Sequence, residues 1–187
     1  VIYNFQELRG ELQKYYAFET DSSIEVVAKA YKLWGEKFVL HLDGVFALVV
    51  YDRSEDMLFL VRDKFGVKPL YYATYQGKLF FASEVRSIFA AGVRRHVSIE
   101  QWAGYMLYGS YGKVYSTFWD GVNQLPAGCL MRYNGYSLRE DCWYNLRDEI
   151  ECLVSNYSED ELRAMWAEEL KTCVARSMND VSSCGLR

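Results

Sequence analysis

Apolar residues follow a helical period near the start of the chain and a strand period after it. Ile24, Val27, Ala28, Tyr31 and the Leu33-Trp34 pair fall on one face of a helix that ends at Gly35. Four positions place an oxygen-bearing residue three before Glu or Gln: Asn4/Glu7, Ser22/Glu25, Ser98/Gln101 and Ser158/Glu161. Each is the signature of a capping box, in which cap and acid satisfy two orphan amides reciprocally. The first predicts a helix to about Tyr15, the third one to about Tyr108, and the last one over about Glu159 to Met178.

Between the second and third helices the pattern alternates. Val45–Asp52 and Met57–Arg62 flank a polar turn, and Leu70–Tyr75 and Lys78–Ala82 flank Gln76-Gly77, so two hairpins are predicted. A short helix over Glu84–Ala91 follows, and later a strand over Gly128–Tyr133 with a turn at Asn134-Gly135. Strands cluster rather than alternate singly with helices, which predicts an α+β layered domain and not a Rossmann-type sheet. The polar, weakly periodic Tyr144–Tyr157 stretch reads as a linker. Leu162, Met165, Trp166, Leu170, Cys173 and Val174 give the last helix an apolar stripe that wants a partner beyond the domain.

The 187 residues are 51% hydrophobic, enough for one domain with a real core. A net charge of -4, spread along the chain, lacks the basic footprint of a nucleic-acid binder. No apolar run approaches the roughly 20 residues of a bilayer-spanning helix. Five cysteines, odd in number and without a close pair, predict free thiols and a reducing, cytoplasmic setting. Two histidines and no Cys-x-x-C spacing offer little for zinc, so no metal site is expected.

Several segments carry a family resemblance. Ile2-Tyr3-Asn4-Phe5-Gln6-Glu7-Leu8-Arg9 resembles the stretch after the glutamine-binding Asn-Gly-Glu of class II amidotransferases, and Glu25-Val26-Val27 with Ala30-Tyr31-x-x-Trp34-Gly35 continues it. More specific are Asp43-Gly44-x-Phe46-Ala47, Tyr51-Asp52-Arg53, the run Arg62-Asp63-Lys64-Phe65-Gly66-Val67-Lys68-Pro69-Leu70-Tyr71-Tyr72, and Phe81-Ala82-Ser83-Glu84. With Leu125-Pro126-Ala127-Gly128 and Asn179-Asp180-Val181, their order resembles glutamine-hydrolysing asparagine synthetase.

That resemblance implies an N-terminal-nucleophile (Ntn) hydrolase fold, an αββα sandwich of two antiparallel sheets between helix layers, here truncated at the N-terminus. It divides the chain into a partial glutaminase domain over 1–143, a linker over 144–157 and the first helix of an ATP-dependent synthetase domain over 158–187. It also implies the chemistry: an amino-terminal Cys attacks the side-chain amide of L-glutamine with its own amine as base, an Asn-Gly pair holds the oxyanion, and ammonia passes to L-aspartate activated by ATP with Mg²⁺. On this alignment the nucleophile and the oxyanion pair precede Val1, and the ATP loop follows Arg187. The fragment alone is expected to be inactive and to bind no cofactor, and a homodimer is expected by family analogy.

Two substrate-binding positions depart from the family. Val1 stands where the family has Glu, and Ser23 where an Asp holds the substrate's α-ammonium, with Asp21 as a possible substitute. Exchanging a charge-assisted hydrogen bond for a hydroxyl costs roughly 1.5–3 kcal/mol, so weak or lost glutamine binding is expected. Arg62, Asp63, Gly66, Lys68, Pro69, Ser83 and Glu84 are expected to be structural: Asp63 binding loop amides, Gly66 permitting a close approach, Pro69 opening a strand and Ser83 capping a helix. Two alternatives remain open. One is a β-lactam-forming or peptide-cyclising ligase with a dead glutaminase, and the other a non-catalytic packing module.

Overall fold

The computed structural model describes residues 1–109 and 115–178. Helix α1 (Phe5–Leu12) and helix α2 (Ser23–Trp34) run into a 3-10 helix (Gly35–His41). Strands β1 (Ala47–Asp52), β2 (Met57–Arg62), β3 (Tyr71–Tyr75) and β4 (Lys78–Ala82) follow, then helices α3 (Val85–Ala90) and α4 (Ile99–Tyr108). After them come β5 (Asn123–Gln124), β6 (Cys129–Tyr133), β7 (Leu138–Cys142), α5 (Leu146–Asn156) and α6 (Glu159–Met178). The strands form two antiparallel sheets, ordered β1-β2-β6-β7 and β4-β3-β5.

Side-chain parity builds the layers. On β2, Phe59 and Val61 pack with Leu12, Val26, Ala30 and Phe38 of the helical layer, whereas Leu60 turns the other way to Leu70, Leu125 and Met131. On β3, Tyr72 joins that inter-sheet core while Ala73 faces Ile88 of α3. The molecule is therefore the expected αββα sandwich.

The hairpins and the helices of the domain body fall within a few residues of their expected bounds. β3 turns into β4 through Gln76 and Gly77, both at positive φ (51° and 72°), the geometry of a two-residue hairpin loop. α1 ends at Leu12, not Tyr15. Of the four expected capping boxes, only Ser158/Glu161 is reciprocal, with the Glu161 carboxylate accepting from the Ser158 amide at 2.8 Å and Ser158 Oγ accepting from the Glu161 amide at 3.4 Å. Ser22 accepts from the Ile24 amide, but Glu25 reaches past it to Glu19 and Thr20. Asn4 does not cap; its amide instead bridges His41 O (2.9 Å) and the Asp43 amide (3.0 Å), trading a local bond for a tertiary tie. Ser98 makes no side-chain cap either, being packed where its amide pairs with Phe118 O.

Three further expectations are corrected. The linker stretch is helical over Leu146–Asn156, opened by Asn145 accepting from the Arg147 amide at 3.1 Å. β7, unannounced by its polar Leu-Arg-Glu-Asp-Cys sequence, returns from β6 in a register that sets Cys129 opposite Cys142. That register joins the two cysteines in a disulfide, so five free thiols are not present, and the argument from them to a reducing compartment loses its premise. No helix among the described residues is long and apolar enough to cross a membrane. The stripe on α6 is open, with Trp166 68% and Leu170 49% exposed. Asn179-Asp180-Val181 lies outside the described residues.

Candidate functional site

A cleft of about 650 Å³ lies along β1, between the start of α2 and the Lys68-Pro69 junction. Val1, Ser23, Lys68, Pro69 and Ser83, five residues singled out in sequence from four separate segments, all line it. The remaining wall is mostly β1 and the residues just before it, Val45 to Tyr51, of which Phe46, Ala47 and Tyr51 belong to the family-like motifs and Leu48, Val49 and Val50 carry only a strand pattern. Their signal was available: β1 alternates, sending Leu48 and Val50 to the helical core and leaving Val49 and Tyr51 open. A larger cavity, about 1090 Å³, borders Leu153 and a side of α6 that mixes Leu162, Met165 and Trp166 with Glu159, Arg163, Glu168 and Glu169, and shares no lining residue with the cleft.

The wall carrying Lys68 and Pro69 is fixed from within. Asp63 is 1% exposed, and its carboxylate accepts four backbone amides: Phe65 at 3.1 Å and Val67 at 2.9 Å on Oδ1, Phe46 at 3.2 Å and Lys68 at 3.0 Å on Oδ2. One carboxylate thus folds the loop and ties it to the residue before β1. Arg62 donates to three carbonyls, Lys68 at 2.8 Å, Leu125 at 2.5 Å and Gly66 at 2.5 Å, and the Gln124 amide oxygen, turned toward it, accepts at 3.0 and 3.3 Å. Burial pushes the Arg62 pKa below the usual guanidinium value, and the adjacent Asp63 charge opposes that shift. Gly66, at φ +64°, closes the loop; a Cβ there would sit 2.9 Å from the Arg62 Cζ and 3.1 Å from the Ala127 Cβ.

The opposite wall is held at the surface. Val1 lies antiparallel to Val45, its nitrogen donating to Val45 O at 2.7 Å and its carbonyl accepting from the Val45 amide at 3.0 Å. Ser23 opens α2 half-buried in the cleft, and the loop before it is braced by Glu25, whose carboxylate accepts from the Glu19 amide at 3.0 Å, the Thr20 amide at 2.8 Å and the Thr20 hydroxyl at 2.7 Å, and pairs with Lys29 at 2.6 Å. These contacts, Lys29 foremost, lower the Glu25 pKa to about 2. Asp21 is fully exposed, pairs with Arg9 at 3.0 Å, and is not part of the cleft lining. Ser83 does not cap α3; the N-cap is Glu84, which pairs with Arg86 at the surface while Ser83 faces the cleft.

Chemically the cleft offers mostly aliphatic walls with Phe46 and Tyr51 among them, two serine hydroxyls and one lysine, a setting that suits a small polar ligand anchored at a few points.

Comparison with known proteins follows the same outline. The glutamine amidotransferase domain family matches residues 1–144. Asparagine synthetase [glutamine-hydrolyzing] 1 of Bacillus subtilis is 43% identical over 91 residues, 48% of this chain and 14% of that protein. Amidase chry2 of Gibberella zeae is 33% identical over 128 residues, 68% of this chain and 18% of that protein. The chain therefore spans a small part of the length of either relative. A solved structure of glutamine phosphoribosylpyrophosphate amidotransferase from B. subtilis superposes with a TM-score of 0.51 over 76% of this chain and 27% of that one, at 16% identity, a likeness of fold.

Proposed function

The chain belongs to the glutamine amidotransferase domain family, and on that premise we propose that it is the ammonia-supplying half of an amide-forming ligase of the asparagine synthetase kind, with a weakened hold on glutamine. The observation that carries the reading is the cleft itself, where Val1, Ser23, Lys68, Pro69 and Ser83 converge although the resemblance picked them out from four different stretches of chain. In this reading L-glutamine enters beside β1, and its side-chain amide meets a thiol supplied by residues preceding Val1. The released ammonia serves a second domain that activates L-aspartate.

ATP and Mg²⁺ are co-substrates of that second step. A cleft with one lysine as its cationic side chain and no lining carboxylate to hold a cation does not fit a nucleoside triphosphate with its Mg²⁺, and neither enters a step assigned to this chain. A homodimer is the assembly expected by family analogy.

The test uses the complete protein with ATP, Mg²⁺ and aspartate, and compares glutamine with ammonium as nitrogen source. Asparagine from both, with glutamine saturating only at high concentration, is the expected outcome; asparagine from neither would sink the reading. A second reading is favoured by the amidase-named relatives, whose match covers more of this chain than that of the Bacillus protein. There the glutaminase is dead and the complete protein joins a carboxylic acid to an amine of the same molecule, so ATP turnover would proceed without glutamine hydrolysis and without asparagine.

A further inference from the structure

Away from the cleft, β6 and β7 hold three donor groups on one face. Cys129 and Cys142 are directly opposed partners with Cα atoms 4.1 Å apart, and Glu140, two residues before Cys142, shares its side of β7. A sulfur from each cysteine and a carboxylate oxygen from Glu140 all lie within 4.8 Å of one another. Cys129 is wholly buried, Cys142 is exposed, and Glu140 is half-buried without a hydrogen bond or ion pair among the described residues.

We propose that the reduced Cys129–Cys142 pair, together with Glu140, binds one thiophilic divalent cation of the zinc class, and that the disulfide is the cation-free alternative of the same site. Donor chemistry selects the cation, since two thiolates and one carboxylate suit zinc-like ions, whereas magnesium and calcium require oxygen throughout. Bond lengths near 2.3 Å to sulfur and 2.0–2.2 Å to oxygen put the donors of one tetrahedral ion about 3.5–3.8 Å apart, so reduction must let the two bonded sulfurs part while the carboxylate oxygen, within 4.8 Å of both, closes in. Solvent at the exposed Cys142 side supplies the fourth ligand.

Interconversion needs a small-molecule thiol. Its thiolate attacks the exposed Cys142 sulfur, the S–S bond breaks and Cys129 leaves as thiolate; a second thiol then resolves the mixed disulfide. The products are two protein thiols and one external disulfide. Cation binding afterwards displaces the two thiol protons.

Binding also bears on the cleft. The carbonyl of Gly128, next to Cys129, accepts from the Trp143 amide at 2.8 Å and the Tyr144 amide at 3.1 Å, directly after Cys142. The Trp143 ring lies parallel to that of Phe46, centroids 6.5 Å apart, and Phe46 lines the cleft.

The experiment titrates cobalt(II), as a spectroscopic probe, into the complete protein reduced with a phosphine, alongside protein left oxidised. The expected result is one equivalent of cobalt with a sulfur-to-metal charge-transfer band in the reduced form only, displaced by one equivalent of zinc. Cys142→Ser should remove about half of that band and Glu140→Gln should weaken binding by roughly tenfold or more, while Cys152→Ser leaves both unchanged. Because Cys142 is exposed, its variant avoids the folding risk of replacing buried Cys129. An absent band in the reduced protein, a band equal in the oxidised protein, or one indifferent to Cys142→Ser would each overturn the proposal.

Discussion

The two walls of the cleft are built on opposite principles. The Arg62–Pro69 wall is over-determined: a buried carboxylate collects four amides, a half-desolvated guanidinium collects three carbonyls, and Gly66 closes the turn between them. The Val1–Ser23 wall is rooted in the helical core through buried Ile2, Val26 and Val27, but its polar rim rests on surface interactions: a short antiparallel contact at Val1, the Glu25 brace and the Arg9–Asp21 pair. The difference teaches where change is tolerated. Substitution in the first wall is expected to cost the fold and substitution in the second to alter what the cleft holds at little cost to stability; Val1 and Ser23, the two positions expected to depart from the family pattern, both sit in the second.

The sharpest test of this contrast is Asp63→Ala. Four amides would lose their acceptor in a site that water does not reach, and destabilisation of about 3–5 kcal/mol is expected in denaturant unfolding of the complete protein. A cost under about 1 kcal/mol would show that the wall is not held this way. Next comes Gly66→Ala, which pairs a positive φ with a Cβ pressed against the Arg62 guanidinium, for about 1–3 kcal/mol. On the other wall, Ser23→Asp should leave stability within about 0.5 kcal/mol. It should tighten glutamine by about one to two decades, measured by calorimetry or by KM in the hydrolysis assay. An unchanged glutamine affinity would break the link between Ser23 and the substrate's ammonium group.

Legibility in the sequence follows the same division between local and long-range causes. The first two hairpins and the amphipathic helices were readable because their signals are periodic and lie within a dozen residues: alternation in Val45–Asp52, and the Ile24–Val27–Tyr31 spacing in α2. Asn4 misled because a cap is decided by competition, and the His41–Asp43 segment won its side chain. β7 was invisible because a sheet-edge strand with mostly polar side chains carries no hydrophobic alternation, and the disulfide it makes depends on a register that sequence does not print. α5 hid for a different reason: Leu146, Ile150, Leu153 and Val154 do share one helical face, but the segment is polar on average and none of its residues is buried, so it read as a linker. As for the site, motif positions identified five lining residues, but that Asp21 points away and Ser83 points in is a matter of tertiary placement.

The smallest expected effect concerns the Glu25 brace and its response to acid. The carboxylate sits at a pKa of about 2, lowered from 4.5 by Lys29 and by the Glu19 and Thr20 donors. A folded-state pKa below the unfolded one means that the brace contributes fully above pH 4.5 and that its contribution fades as pH falls toward 2. Because the group is at the surface, the loss should appear as local opening and not as unfolding. The Glu19 and Thr20 amides, which donate to Glu25, should therefore lose hydrogen-exchange protection across that window, while the Phe65 and Val67 amides on buried Asp63 keep theirs. Glu25→Gln should reproduce the opening at neutral pH and remove its pH dependence. Equal loss at both sets of amides would mean that the two walls open together, and the contrast between them would fail.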